Sequence, residues 1–431
     1  MFTGKLPSTL GAFGLSAAIS LSASLPIMVR ADTAPTPATD ATQYPKSWID
    51  PDTGHRVTRL TDIPGTDSLY FNDCGFTPDG NEMVFTIRAD FSSAVLDLRT
   101  MKSRVVVPGP VRTICLGRKT PTVFYVKMEG ELQVLYSTNV DTGETRRIAP
   151  LPAPGPLYTV NADETLAVGT YVLGHPPSFG GRAGLPFPNT PQVDPLEQDL
   201  KKGTLMEQRL AARLPIVMYE IDLKTGTSKT LLTGTDWFNH AQFSPSDPSL
   251  LMYCHEGPWT LVDRIWSIHT DGTQNHLVHH RMLELERAGH EWWSRDGRAI
   301  WYQLGYPPGM GLNCLACEDV TTGARIWYSY GHDSSSIHHN ISPDGTIFCG
   351  DGDKSNPWVV LCRVIPNPDR NTLGAHLVRT GTLKAERLVN MSKHNYLLEP
   401  NPMFTPDQKM IIFRSNMFGP TYVFGVEVAR N

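Results

Sequence analysis

Several signatures of chemistry are missing from this chain of 431 residues. There is no G-x-S-x-G elbow, which removes the usual signal for a serine hydrolase of the α/β type. No P-loop and no dinucleotide-binding glycine fingerprint occurs, so nothing points to a nucleotide-phosphate site. Charge of one sign is not in excess: 38 Lys and Arg face 43 Asp and Glu, for a formal net charge of -5. A polyanion-binding surface is not expected, and nucleic acid is excluded as a partner on that ground. The seven cysteines are few and odd in number. Cys314 and Cys317 form a lone C-x-x-C without the second pair that would argue for zinc. The cysteines therefore read as small buried apolar residues, with room for one disulfide. Helical periodicity is almost absent. Beyond the N-terminus no apolar run reaches the roughly 18 residues a membrane span needs.

The N-terminus reads as an export signal. Lys5 precedes an apolar, small-residue run from Leu10 to Met28, and Val29-Arg30-Ala31 forms a cleavage-like site before Asp32. Residues 1–31 are thus expected to be removed, and 32–44, rich in Thr, Ala and Pro, to form a disordered leader. The mature chain, 45–431, is expected to be periplasmic or secreted and to have no membrane contact after cleavage.

What is present is a repeated turn. It appears as FTPDG (76–80), VNADE (160–164), FSPSD (243–247), WSRDG (293–297), ISPDG (341–345) and FTPDQ (404–408). Each precedes an apolar strand, such as EMVFTI, LLMYC, AIWYQL or MIIFRS. A second turn of D-x-T-G type follows in most units and leads to an outer strand. Four-stranded repeats of this length indicate propeller blades. The spacing predicts an all-β fold, a seven-bladed β-propeller. The last unit lacks its D-x-T-G strand, and DPDTGHRVTRLT (50–61) supplies a spare one, so an N-terminal strand is expected to close the last blade. The exception to the strand pattern is about 174–213: a Gly/Pro-rich loop, then a helical stretch, read as an insertion that walls one face.

Counting back five from the third turn residue gives Asp73, Leu157, His240, His290, His338 and Asn401. In a propeller these positions open the innermost strand, where side chains face the channel. Three histidines on adjacent blades converge there, with Glu399 two residues before Asn401. Imidazole, carboxylate and amide oxygen suit a divalent metal. His255, with Glu256 and Trp259 after it, reads equally well as packing or as binding. His276, His279 and His280 read as solvated edge residues, and His339 faces away from His338.

At this point the sequence resembles the oligogalacturonate lyases, polysaccharide lyase family twenty-two. The resemblance rests on DPDTGHRVTRLT, NHAQFSPSDPSLLMYCHEGPWTLVDRIWSI, GHEWWSRDG and EPNPMFTPD, and spans most of 44–431. It implies cleavage of short α-1,4-linked galacturonides by β-elimination on a seven-bladed propeller. It implies His240 as the base and His290 as a metal ligand. Glu399-Pro400-Asn401-Pro402 stands where the family has two ligand histidines, and Tyr396 where it has a glutamine. The expected metal set is His290, His338, Glu399 and Asn401, holding Mn²⁺ or Ca²⁺. Arg213 is the nearest match to the family's catalytic arginine, displaced by several residues. Expected substrate contacts are Asp73, His255, Arg264, Trp292 and Arg414, with Trp259 and Trp293 as further sugar-stacking candidates. The partner is an acidic oligosaccharide. The competing readings are a non-catalytic periplasmic propeller that binds proteins, and a glycoside hydrolase using Asp73 and Glu399.

Overall fold

The computed structural model describes residues 44–174, 195–307, 309–368 and 377–430, with side chains omitted over 195–202. The expected signal peptide, most of the leader, and the loop at 175–194 lie outside the described residues. No helix among the described residues is long and apolar enough to cross a membrane.

The fold is all-β, with six hydrogen-bonded sheets and one long helix, Pro195–Ala212. The repeated turn builds each sheet by the same device. In Thr77-Pro78-Asp79-Gly80 the Thr77 hydroxyl donates to Asp79 at 2.6 Å, the Asp79 carboxylate accepts from the Asn81 N–H at 3.0 Å, and Gly80 takes φ 73°. Ser294 with Asp296 and Ser342 with Asp344 repeat the hydroxyl–carboxylate bond at 2.6 Å. Such turns fix the backbone locally, before any long-range contact forms. The second turn uses one carboxylate twice: Asp222 Oδ1 accepts from the Lys224 and Thr225 N–H groups at 2.9 and 2.7 Å.

The strands that follow match the sequence. EMVFTI is Glu82–Ile87, and MIIFRS is Met410–Ser415. Four sheets are four-stranded, and one is eight-stranded because Arg325–Tyr330 pairs in parallel with Val378–Asn390. The sixth holds both ends of the described chain. Arg56–Arg59 pairs antiparallel with Tyr422–Glu427, and Ser47–Ile49 adds a fifth strand that the sequence reading did not anticipate.

Successive sheets, and the two halves of the eight-stranded sheet, share buried side chains in chain order. Val84 and Val95 meet Leu116 and Val123; Phe124 and Leu135 meet Tyr219 and Ile221; Val168 and Met218 meet Phe243 and Leu251. Met252 and Ile265 meet Ile300 and Tyr302, Trp301 and Leu315 meet Phe348 and Val360, and Val359 and Leu361 meet Ile411 and Phe413. Finally Ile412 and Val423 meet Phe85 and Leu96 of the first sheet. Each fully buried side chain of this kind contributes about 1.5–3 kcal/mol.

All seven cysteines are free thiols, six of them buried, so the structure contains no disulfide. Burial pushes the Cys314 thiol up to about 11. The reading of these residues as small apolar fillers holds.

Candidate functional site

The inner strands carry a shared irregularity at the position where the sequence places its histidines. Between Asn239 and Gln242 the strand Trp237–Phe243 has one residue more than its partner, and the strand Arg287–Trp293 does the same between Gly289 and Trp292. His240, His290 and Asn401 take φ of 47°, 48° and 53°. A non-glycine residue in this region costs of order 1–3 kcal/mol and persists only where the surroundings enforce it. A bulge of this kind re-aims one side chain out of the sheet's alternation. Gly289 explains why the motif reads G-H: a Cβ there would lie 2.7 Å from the Trp259 indole.

Three imidazoles gather here, two in contact and the third joined to them through Tyr70. The His290 and His338 ring centroids are 4.6 Å apart. Tyr70 joins the third ring, 6.1 Å from His240 and 5.2 Å from His338.

Each ring is held by a partner that sets its tautomer. His240 Nε2 lies 3.2 Å from Glu256 Oε2, so Nε2–H donates to the carboxylate and Nδ1 carries the lone pair. Burial acts to raise Glu256, but Arg264 and His240 beside it hold its carboxyl well below the usual range. His290 Nδ1 meets Gln303 Oε1 at 2.8 Å, and Gln303 Nε2 meets His339 Nδ1 at 2.8 Å. His339 Nε2 in turn meets the Ser334 carbonyl at 2.9 Å. Since that carbonyl only accepts, His339 is protonated at Nε2, Gln303 donates to its Nδ1, and His290 Nδ1–H donates to Gln303. Burial pulls His339 down to about 4, which keeps this ring neutral. His338 Nδ1–H donates to Asp351 Oδ2 at 2.9 Å, and Asp351 Oδ1 accepts the His338 backbone N–H at 2.8 Å. The Nε2 lone pairs of His290 and His338 are therefore fixed as acceptors. The Tyr70 hydroxyl donates to His338 Nε2 at 3.1 Å.

Two imidazole nitrogens oriented by Gln303 and Asp351, with the Glu399 carboxylate 4.0 Å from His338 Nε2, would form a donor set suited to a borderline divalent ion once the Tyr70 hydroxyl leaves the His338 Nε2 lone pair. Among the described residues no three His, Cys, Asp or Glu side chains already surround one point. Asn401 is not among the donors. With its amide oriented to satisfy its neighbours, its oxygen already accepts from Arg414 Nη2 at 2.7 Å. Glu399 binds the same arginine through its carbonyl, which accepts from Arg414 Nε at 2.7 Å.

Other expected contacts lie elsewhere. Arg264 is 3% exposed and bound to both Glu256, at 2.5 Å, and Glu291, at 3.1 Å. Its charge is spent on those two carboxylates, so it positions Glu256 rather than meeting a substrate. Trp292 is 1% exposed and packs on Phe71 and Trp301, which leaves no face for a sugar. The bulge turns His290 outward and returns Trp292 to the core. Trp293 is also buried, its N–H donating to the Gln242 carbonyl at 3.0 Å. Trp259 is the half-buried indole that remains, edge-on to His290 at 4.8 Å.

Asp73 lines a separate cavity of about 170 Å³, with Arg118, Gln242 and Arg295, where none of the three histidines reaches. Burial pushes its carboxyl up to about 7 against the pull of Arg112. Its place among the histidines is taken by Tyr70, because a turn intervenes: the Asp73 N–H bonds to the Tyr70 carbonyl. His255 stacks on Trp266 at 4.7 Å, and burial pulls it down to about 4. That favours the packing alternative. His279 is no edge residue. It is buried between Tyr302 and Glu286.

Arg213 follows the helix in a left-handed conformation and is half exposed in an ion pair with Asp236. One turn earlier, Arg209 is 4% exposed and stacks over Trp237 at 4.3 Å. Its Nη1 is buried without a hydrogen-bond partner among the described residues. Burial pulls it down to about 10, opposed by Tyr158, and Tyr158 also senses the charge of Glu256. A buried cation without a carboxylate is costly unless an anion arrives. The sequence offered few signals for these functional neighbours. Glu256 stood inside the quoted C-H-E-G-P block, while Gln303, Asp351 and Arg209 carried no motif.

The oligogalacturonate lyase family model matches residues 204–430. The chain is 26% identical over 406 residues to the oligogalacturonate lyase of Dickeya dadantii, and 24% over 407 to the oligogalacturonide lyase of Pectobacterium atrosepticum. Each alignment covers 89% of this chain and 95% of the relative. Among solved structures, an oligogalacturonate lyase in complex with manganese matches with TM-score 0.67 and 24% identity. The Vibrio parahaemolyticus oligogalacturonate lyase matches with TM-score 0.68 and 22% identity, and each match covers 89% of this chain and 96% of the other. With more than half its length matched by that model, the chain belongs to the oligogalacturonate lyase family.

Proposed function

We propose that this protein is a polysaccharide lyase that cleaves short oligogalacturonides by β-elimination, with His240 as the base. The carrying observation is the His240–Glu256 pair: an imidazole in a left-handed bulge, Nε2–H on a buried carboxylate, Nδ1 left to accept. Elimination from a uronide removes the proton at C5, forms the C4–C5 double bond and expels the C4 oxygen. His240 Nδ1 takes the C5 proton, and Glu256 stabilises the imidazolium that results. A positioned general base supplies about 10²–10⁴-fold. The remaining barrier is lowered by positive charge at the uronate carboxylate. Arg209, buried and lacking an acidic partner among the described residues, suits that role better than Arg213, whose charge Asp236 already meets. Arg414, beside Glu399, has its charge met by Asp67 at 3.4 Å, so it is the weaker candidate.

His290, His338 and Glu399 would hold a divalent metal. Manganese is favoured, as in the solved relative, and the ion would supply charge stabilisation to the substrate carboxylate. Trp259, half-buried with Arg264 over its ring at 5.2 Å, is the indole beside His290 that a sugar would meet. The larger reading of the fold is a seven-bladed propeller. Its support is the cyclic order of inter-sheet cores and the division of the eight-stranded sheet into two four-stranded halves. The strand Arg56–Arg59 closes the last blade. The N-terminal run from Leu10 to Met28 supports export. An interaction scaffold has no use for three tautomer-fixed imidazoles.

The deciding assay follows ultraviolet absorbance of the unsaturated product from digalacturonate, with and without chelator. Wild-type protein is expected to be active and His240→Ala inactive. Full activity of His240→Ala would dismiss the base assignment.

A further inference from the structure

The Tyr70 hydroxyl sits on the lone pair that His338 offers to the imidazole cluster, and the tautomer leaves no alternative. His338 Nδ1–H donates to Asp351 Oδ2 at 2.9 Å, and Asp351 Oδ1 is fixed in turn by the His338 backbone N–H at 2.8 Å. Both side chains are fully buried, so water does not stand in for either partner. Nε2 is therefore the acceptor, and Tyr70 donates to it at 3.1 Å. An imidazole nitrogen of this type carries one lone pair, in the plane of the ring. It binds a hydroxyl proton or a metal ion, not both.

The surroundings hold the Tyr70 ring at this place without enclosing it. The ring packs on Phe71 at 4.8 Å and edge-on to His338 at 5.2 Å, and Phe71 lies against His338 at 4.7 Å. The Tyr70 carbonyl accepts from the Asp73 N–H at 2.9 Å, which pins the main chain. The side chain is only half-buried, which leaves the hydroxyl room to turn off Nε2. The other donors are set independently of it. Gln303 orients His290 at 2.8 Å, and Glu399 Oε2 lies 4.0 Å from His338 Nε2.

We propose that Tyr70 sets the affinity of the metal site: its hydroxyl holds the His338 Nε2 lone pair in the metal-free protein and is displaced when an ion binds. The proposal rests on the reading of His290, His338 and Glu399 as the ligands. Displacement gives up one neutral hydrogen bond. The ion is therefore held about 3–10-fold more weakly than the same donors would hold it without the hydroxyl. The phenol keeps its proton throughout, so the exchange is one of acceptor only. The coupling is reciprocal: the ion frees the hydroxyl, and whatever draws the hydroxyl away tightens the ion.

The test is titration calorimetry with Mn²⁺ on wild type, Tyr70→Phe and His290→Ala, each checked by a cooperative melt. Tyr70→Phe keeps the ring and its packing and loses only the donor. Its Kd for Mn²⁺ is expected to be about 3–10-fold tighter than that of wild type, and His290→Ala is expected to weaken binding. A second reading comes from near-ultraviolet tyrosine difference absorbance during the same titration. Wild type should show a change that saturates with the calorimetric Kd, and Tyr70→Phe should lack it. A Kd for Tyr70→Phe within twofold of wild type overturns the proposal, and so does a weaker one, which would make the hydroxyl a support of the ion rather than its competitor. Unchanged affinity in His290→Ala overturns the ligand set instead, and the Tyr70→Phe comparison still decides whether the hydroxyl competes with the ion. Absence of Mn²⁺ binding in all three proteins overturns both.

Discussion

Glu256→Gln is the sharpest perturbation this structure offers. The wild-type carboxylate serves three neighbours: His240 Nε2–H at 3.2 Å, Asn239 Nδ2 at 3.2 Å and Arg264 Nη1 at 2.5 Å. A glutamine has one accepting oxygen and must turn its NH₂ toward a donor, so either His240 or Arg264 loses its acceptor. A carboxylate that orients a catalytic imidazole contributes up to about 10⁴ in kcat in a serine protease triad. The His240 side chain is 34% exposed, and water replaces part of what is lost. The expected loss in kcat is therefore about 10²–10³, or roughly 3–4 kcal/mol of transition-state stabilisation. KM should change little. The fold should survive, because Glu291 still neutralises Arg264, at a cost of about 2–3 kcal/mol for the weakened buried pair. The assay is initial-rate product absorbance, run well below the melting temperature and beside a calorimetric melt. The folded pKa of Glu256 is depressed, so its contribution is present above the unfolded value near 4.3 and lost as pH falls through the folded one. The variant should lack that acid limb. A kcat within threefold of wild type, with a cooperative melt, would refute the orienting role.

Four further outcomes are expected. Gln303→Leu strips His290 of its Nδ1 partner and orphans His339, so manganese affinity by titration calorimetry should fall about 10–100-fold. Arg209→Met removes a buried cation without an acidic partner among the described residues. Its melting temperature should hold or rise while kcat/KM falls at least 10²-fold, and a parallel loss of both would assign Arg209 to packing alone. His255 is depressed from 6.5 to about 4 by burial, so its neutral ring stabilises the fold above 6.5 and loses that contribution as pH falls toward 4. His255→Phe should flatten this loss, worth roughly 3 kcal/mol, in denaturant melts across that window. Trp259→Ala should raise KM for every galacturonide, since its indole is the half-buried one beside His290.

The repeated turns were legible because their chemistry is local. Thr77 and Asp79, or Ser294 and Asp296, close on each other within three residues, and the strands after them follow by alternation. The histidine register was legible for the same reason: the count from the turn places His240, His290 and Asn401 alike, and the structure gives all three the same backbone conformation. That conformation was not legible. A bulge adds one residue and reverses the faces after it, which is why Trp292 was expected at the site and lies in the core. Asp73 was misplaced by the turn after Tyr70, which breaks the count in its unit. Partners distant in sequence left no local trace: Gln303 lies 13 residues from His290, and His339 36 residues from Gln303. Arg213 and Arg209 differ by one helical turn, and only packing on Trp237 separates an exposed ion pair from a buried cation.

The pairing of Arg56–Arg59 with Tyr422–Glu427 carries a consequence for biogenesis. The sheet it completes also bears Met410–Ser415, hence Arg414, and follows directly on Glu399 and Asn401. Part of the proposed site thus lacks its support until Tyr422–Glu427 has been synthesised and has found Arg56–Arg59, made hundreds of residues earlier. Translation products that lack Tyr422–Glu427 should be inert toward pectin fragments, and competence is expected once that strand pairs with Arg56–Arg59.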